Sequence, residues 1–113
     1  MKYIVAIIQP DRLDHVLDLL EQKEIHLVTV TSVLGRGRQK GIAEIYRSHV
    51  EAGSLLRKIK LEIAVNDEFV KPAVQAITEG AHTGNIGDGK IFVLELQDVI
   101  RVRTGETGKV AIG

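Results

Sequence analysis

YIVAIIQPDRLDHVLDLL at residues 3–20 and KIKLEIAVNDEFVKPAVQAI at residues 58–77 decide the fold, because the second stretch repeats the pattern of the first. A shift of 57 residues carries Ile4, Ala6 and Ile8 onto Leu61, Ile63 and Val65, and Leu13, Val16, Leu17 and Leu20 onto Val70, Ala73, Val74 and Ile77. The first set alternates as the buried side of a strand does. The second stands at i, i+3, i+4 and i+7, the apolar stripe of a helix. The repeat is of pattern, not of identity. In the first stretch Pro10-Asp11 ends the strand, Asp11 reads as the helix N-cap, and the helix runs to near Glu24 with Asp14, Asp18 and Glu21 toward water. In the second, Ile59, Leu61, Ile63 and Val65 share one strand face, and Lys58, Lys60, Glu62 and Ala64 the other. Pro72 falls in the first turn of the following helix, where its missing N–H costs nothing, and Gly80 weakens that helix toward its end.

Outward from this repeat, residues 26–34 are rich in β-branched side chains and read as a strand, as do residues 90–96, with a strand-like IRVR after them. Two βαβ units in tandem predict an α+β, ferredoxin-like βαββαβ sandwich: an antiparallel four-stranded sheet carrying both helices on one face. We read residues 1–113 as one domain with a long loop at about 37–57 and a glycine-bearing tail from about 104, a loop of that length inside a compact domain being usually functional or disordered. The helix-free face presents Tyr3, Val5 and Ile7, too apolar for water, so subunits are expected to pack there. Lys58, Lys60 and Glu62 bring charge beside that contact, which makes subunit clefts candidate binding sites.

Composition narrows the function. Fifteen basic residues balance fifteen acidic ones, so no overall field draws the chain to nucleic acid. KIKLEIAV also lacks the stacking aromatics of an RNA-binding sheet. No hydrophobic run is long enough to span or insert into a membrane, no signal peptide is visible, and there are no cysteines, which suits a reducing cytoplasm.

Three segments, each a weak signal alone, together point to a polyphosphate ligand: GRGRQKG at 35–41, TGNIGDGK at 83–90 and RVRTG at 101–105. Glycines turn backbone N–H groups outward and allow close approach, and the neighbouring arginines and lysines supply charge. Gly84, Gly89 and Lys90 match the P-loop spacing, but Ile91 stands where a hydroxyl would hold magnesium. The segment also follows a helix and precedes a strand, the reverse of a P-loop. A phosphate-ester hydrolase of this fold would need a nucleophile or general base, and His15, His26, His49 and His82 are scattered along the sequence with no recognisable spacing to each other or to a carboxylate. Binding of ATP without its hydrolysis discriminates these readings.

GRGRQKG, a long loop containing YR, the strand KIKLEIAV, then TGNIGDGKIFVLEL and IRVRTGE stand in the order and spacing of one family: from Met1 to about Glu106 the chain resembles the PII signal-transduction proteins. The resemblance implies a homotrimer that binds ATP or ADP at its intersubunit clefts and senses 2-oxoglutarate together with Mg2+ and ATP. It implies a regulator, not a catalyst, acting through the loop at 37–57 on a protein target such as an ammonium channel or a metabolic enzyme. Carried over, Thr29, Gly35, Gly37, Arg38, Gln39, Lys40, Glu62 and Ala64 line the nucleotide site. Gly87, Asp88, Gly89 and Lys90 cradle the phosphates, and Arg101 and Arg103, side by side on an extended chain, complete the site from a neighbouring subunit. The resemblance further implies that Gln39 is the magnesium ligand and that, with the backbone of Lys40 and Gly41 and the side chain of Lys58, it holds 2-oxoglutarate.

This sequence departs from the family pattern at identifiable places. Glu51 replaces the loop-tip tyrosine that many members have uridylylated, the nearest tyrosine being Tyr46, so uridylylation at position 51 is excluded. His49 replaces a serine that is phosphorylated in others, with Ser48 and Ser54 as unmatched neighbours. Gln9 stands where lysine or arginine is common near the 2-oxoglutarate site, which predicts a weaker response to that effector or an adenylate sensor without one.

Overall fold

A computed structural model describes residues 1–37 and 55–113. Strand β1 (Lys2–Ile8) passes through a 3-10 turn at Pro10–Arg12 into helix α1 (Leu13–Gln22), and strands β2 (Thr29–Gly35) and β3 (Leu56–Val65) follow. A second 3-10 turn, Asp67–Phe69, leads into helix α2 (Val70–Ala81), then strand β4 (Gly89–Glu95) and a short helix α3 (Lys109–Ile112). The strands form one sheet in the order β2-β3-β1-β4, each neighbouring pair antiparallel. The opening strand of each repeat thus sits at the centre, as the ferredoxin-like expectation requires.

The register of β1 on β3 sets Ile4 against Ile63, Ala6 against Leu61 and Ile8 against Ile59. These alternate side chains pack with Val16 and Leu20 of α1 and Ala73 and Ile77 of α2 into one buried cluster. Gly80 has a different role from the one its helix propensity suggests. A Cβ there would lie 2.8 Å from Val16 Cα, so the bare glycine lets the two helices approach closely, and α2 continues to Ala81. Arg12 Nε, donating to Gly80 O at 2.9 Å, ties the start of α1 to the same crossing.

Several boundaries differ from the sequence expectation. Asp11 is not an N-cap: it lies inside the 3-10 turn that Pro10 opens, Gln9 and Arg12 hold the cap positions, and neither makes a side-chain cap bond. Helix α1 stops at Gln22, and Glu24 turns the chain with φ of 61°. Strand β2 starts at Thr29 rather than residue 26, while β3 starts at Leu56, inside the stretch assigned to the loop. IRVR is not a strand. Ile100 makes one isolated bridge with Thr107, residues 102–104 turn, and Gly105 N donates to Arg101 O at 2.7 Å, so Arg101 and Arg103 do not lie side by side on an extended chain.

Candidate functional site

On the helix-free face the strand registers assemble three transverse rows. Thr29, Glu62, Val5 and Phe92 form one; Thr31, Lys60, Ile7 and Lys90 the next; Ala64, Tyr3 and Leu94 a third. Neighbouring strands lie about 4.8 Å apart, so Lys60 and Lys90 stand roughly 10 Å apart across Ile7. At the β2 and β3 end of this face opens a cavity of about 340 Å³ lined by Thr29, Glu62 and Ala64, by Tyr3, Leu27 and Val28, and by Val99, Ala111 and Ile112. It is open to solvent, and its surface is almost evenly divided between apolar walls and the polar groups of Tyr3, Thr29 and Glu62.

Two details set its electrostatics. The Tyr3 hydroxyl donates to Glu62 Oε2. Glu62 Oε1 lies 3.9 Å from Lys60 Nζ, an ion pair beyond hydrogen-bond range. The bond to Glu62, followed by burial and the carboxylate's charge, pushes the Tyr3 phenol above its ordinary pKa.

The tail closes one side of the cavity because Arg101 holds it. Its guanidinium binds the Glu106 carboxylate and donates to Val110 O at 2.8 Å and Gly113 O at 2.7 Å. Gly108 N donates to Val99 O at 3.0 Å and to Asp98 Oδ1 at 3.1 Å. The folded tail thereby brings Ala111 and Ile112 against a strand face they are remote from in sequence.

The glycine loop is organised from within. Asp88 Oδ2 accepts from Thr83 N at 2.7 Å and Gly84 N at 2.9 Å, and Asp88 Oδ1 accepts from the Thr83 hydroxyl. Burial alone would push the Asp88 carboxyl up; those hydrogen bonds, with the charge of His82, outweigh it and hold the group below the usual carboxylate range. Gln9 Nε2 donates to Gly87 O at 2.8 Å, fastening the loop to the end of β1. Gly89 has φ of 118°, and a Cβ there would fall 1.9 Å from Ile7 O, so only glycine lets β4 start against β1 at this point.

Of the residues expected from sequence, Thr29, Glu62 and Ala64 meet in the cavity, and Lys90 lies on the same face. Gly35 ends β2, where an added Cβ would touch the Lys58 side chain at 3.4 Å, and Lys58 is only 8% exposed. Gly87, Asp88 and Gly89 lead into Lys90, with the Asp88 carboxylate turned onto its own loop. Gly37 is exposed. Arg101 is engaged by its own tail, Arg103 is exposed in the turn, and neither lines the cavity. Arg38, Gln39, Lys40 and Gly41 lie outside the described residues. Among the described residues no three His, Cys, Asp or Glu side chains converge as a metal site. The sequence reading missed Tyr3 as a site residue, although the alternation that placed it beside Glu62's face was available. Val99, Ala111 and Ile112 left no comparable signal.

An α+β sandwich with its chemistry-bearing side chains gathered on the helix-free face has the layout of a small ligand-binding domain. Residues 1–106 match the family described as Nitrogen regulatory protein P-II, and the chain belongs to that family. It is 54% identical to nitrogen regulatory protein GlnK1 of Methanosarcina mazei, over 99% of this chain and 97% of the relative. It is 48% identical to nitrogen regulatory protein P-II of Azospirillum brasilense, over 99% of this chain and the whole of that relative. Among solved structures, Arabidopsis thaliana PII bound to citrate superimposes with a TM-score of 0.79 at 40% identity, covering 98% of this chain and 88% of that one. The protein is accordingly a signal-transduction regulator, and the hydrolase reading is set aside. Among the described residues no helix is long and apolar enough to cross a membrane.

Proposed function

We propose that the chain works as one cytoplasmic domain that assembles into homotrimers, binds ATP or ADP at the intersubunit clefts, and adds 2-oxoglutarate in the presence of Mg2+ and ATP. The observation that carries this reading is the convergence of Thr29, Glu62 and Ala64 on one cavity, with Lys60 and Lys90 in the adjoining row of the same face. The apolar walls suit a base and the lysines suit phosphates. The exposed Phe92 and Leu94 supply an apolar surface for subunit packing.

In this proposal Gln39 holds the magnesium through its side-chain oxygen, and Gln39, Lys40, Gly41 and Lys58 hold the dicarboxylate, with Arg38, Gly35 and Gly37 nearby. A carboxylate effector accords with the citrate carried by the Arabidopsis relative. Gly87, Asp88 and Gly89 shape the phosphate end, and Arg101 and Arg103 reach it from a neighbouring subunit. Effector binding then alters the loop at 37–57, which a partner such as an ammonium channel or a nitrogen-metabolism enzyme reads. A second reading, adenylate sensing with a weak 2-oxoglutarate response, draws on Gln9: it is neutral, and its amide donates to Gly87 O.

Isothermal titration with ATP, then with 2-oxoglutarate with and without Mg-ATP, tests both, with the ATP assayed afterward for hydrolysis. Dicarboxylate binding that requires Mg-ATP, without turnover, supports the first reading. ATP binding with no 2-oxoglutarate response selects the second, and no nucleotide binding sinks both.

A further inference from the structure

We propose that Tyr3 is a positioning residue of this pocket: its phenol holds one oxygen of Glu62 so that the other is left to accept a hydrogen bond from the amino group of a 6-aminopurine. The inference rests on the reading that the cavity takes the base, and it assigns the source of base selectivity within it.

The placement follows from the register. Tyr3 pairs with Ala64 and Val5 with Glu62, so Tyr3 reaches Glu62 diagonally between adjacent strands, a step that a long aromatic side chain spans. Its hydroxyl donates to Oε2. Oε1 has Lys60 Nζ at 3.9 Å, too far to occupy the oxygen with a hydrogen bond. Both side chains line the cavity, with Thr29 directly across the strand pair from Glu62. Leu27, Val28, Val99 and Ile112 supply apolar walls for a flat ring.

An ionised carboxylate can only accept hydrogen bonds. A purine with an amino group at C6 donates to Oε1, whereas a purine with a carbonyl there sets acceptor against acceptor and leaves both unpaired. Sites that present a fixed polar group discriminate strongly against a ligand that cannot pair with it. Glu62 needs the phenol for this, since a free glutamate arm can swing toward Lys60 and spend Oε1 on the ammonium. A phenol is protonated at neutral pH in any case, and the bond to Glu62 pushes its pKa further up.

Titration calorimetry of the full chain, Tyr3→Phe and Glu62→Gln with Mg-ATP and Mg-GTP tests this, thermal unfolding of each variant serving as the check on folding. Tyr3→Phe keeps the ring and removes only the hydroxyl. We expect the unsubstituted protein to prefer ATP, Tyr3→Phe to lose ATP affinity by about threefold to tenfold while GTP affinity changes less, and Glu62→Gln to narrow the ratio at least as far. An unchanged ATP/GTP ratio in Tyr3→Phe, equal weakening of both nucleotides, or no preference in the unsubstituted protein overturns the role of Tyr3 while leaving nucleotide binding intact. Failure of the unsubstituted protein to bind either nucleotide overturns the functional proposal itself, and this inference with it.

Discussion

On the helix-covered face of the sheet Ile4, Ala6, Ile8, Leu61 and Ile63 are 2% exposed or less, while one residue along the same strands Tyr3, Val5, Ile7 and Lys60 are half-buried, and on β4 Phe92 of that second face is 48% exposed. The pleat separates the two sets, since successive side chains point to opposite sides. The first face holds apolar groups interlocked with α1 and α2; the second holds the Tyr3–Glu62 pair, the Lys60 and Lys90 row and the cavity. β1 can therefore change the side chains it presents on the open face at odd-numbered positions without touching the packing at even-numbered ones. Substitutions on the two faces should separate into losses of stability and losses of binding.

The largest effect should come where the two faces meet, at the start of β4. Gly89→Ala drives a methyl group into Ile7 O, and we expect a loss of about 4 kcal/mol or more in urea unfolding, or no folded protein. A fully folded Gly89→Ala protein would break the close approach of β4 to β1. Leu61→Ala, on the helix face, leaves a cavity in the buried cluster and should cost about 3 kcal/mol while nucleotide affinity of the folded fraction holds.

Lys90→Ala reverses that profile. Its exposed side chain makes stability change by no more than about 0.5 kcal/mol, with ATP affinity reduced about tenfold or more in calorimetry. Equal losses of stability and affinity would blur the division between the faces. The smallest effect concerns Asp88, whose carboxyl is held below the usual range. Its contribution is therefore present above the ordinary carboxylate pKa and is lost as pH falls through the lowered folded value. Hydrogen exchange at Thr83 and Gly84 should show less protection below that range, and Asp88→Asn should flatten the dependence.

Much of the architecture was legible before any coordinates. The repeat offset of 57 residues carries both helix stripes and both central strands, because burial on one side of a strand or helix leaves its period in the sequence. Thr29, Glu62, Ala64 and Lys90 were singled out through motif order rather than chemistry; the structure brings the first three to one cavity and sets Lys90 on the same face. Other local readings failed for physical reasons. Asp11 has the composition of an N-cap, yet Pro10 starts a 3-10 turn before it. Gly80 reads as a helix weakener, yet its lack of a side chain is what the crossing with Val16 uses. IRVR has strand-like residues, but among the described residues no strand lies beside it beyond the bridge at Ile100, and Arg101 turns back to Glu106 and the tail carbonyls.

The fold class and the face on which each strand residue stands were written in short-range periodicity, which needs no knowledge of distant neighbours. The meeting of Tyr3 with Glu62, of the tail with the cavity wall and of Gly89 with Ile7 depended on strand order and register. Those are set by packing the sheet against both helices at once: a slip of one residue would turn every apolar side chain of a strand from the core to the open face.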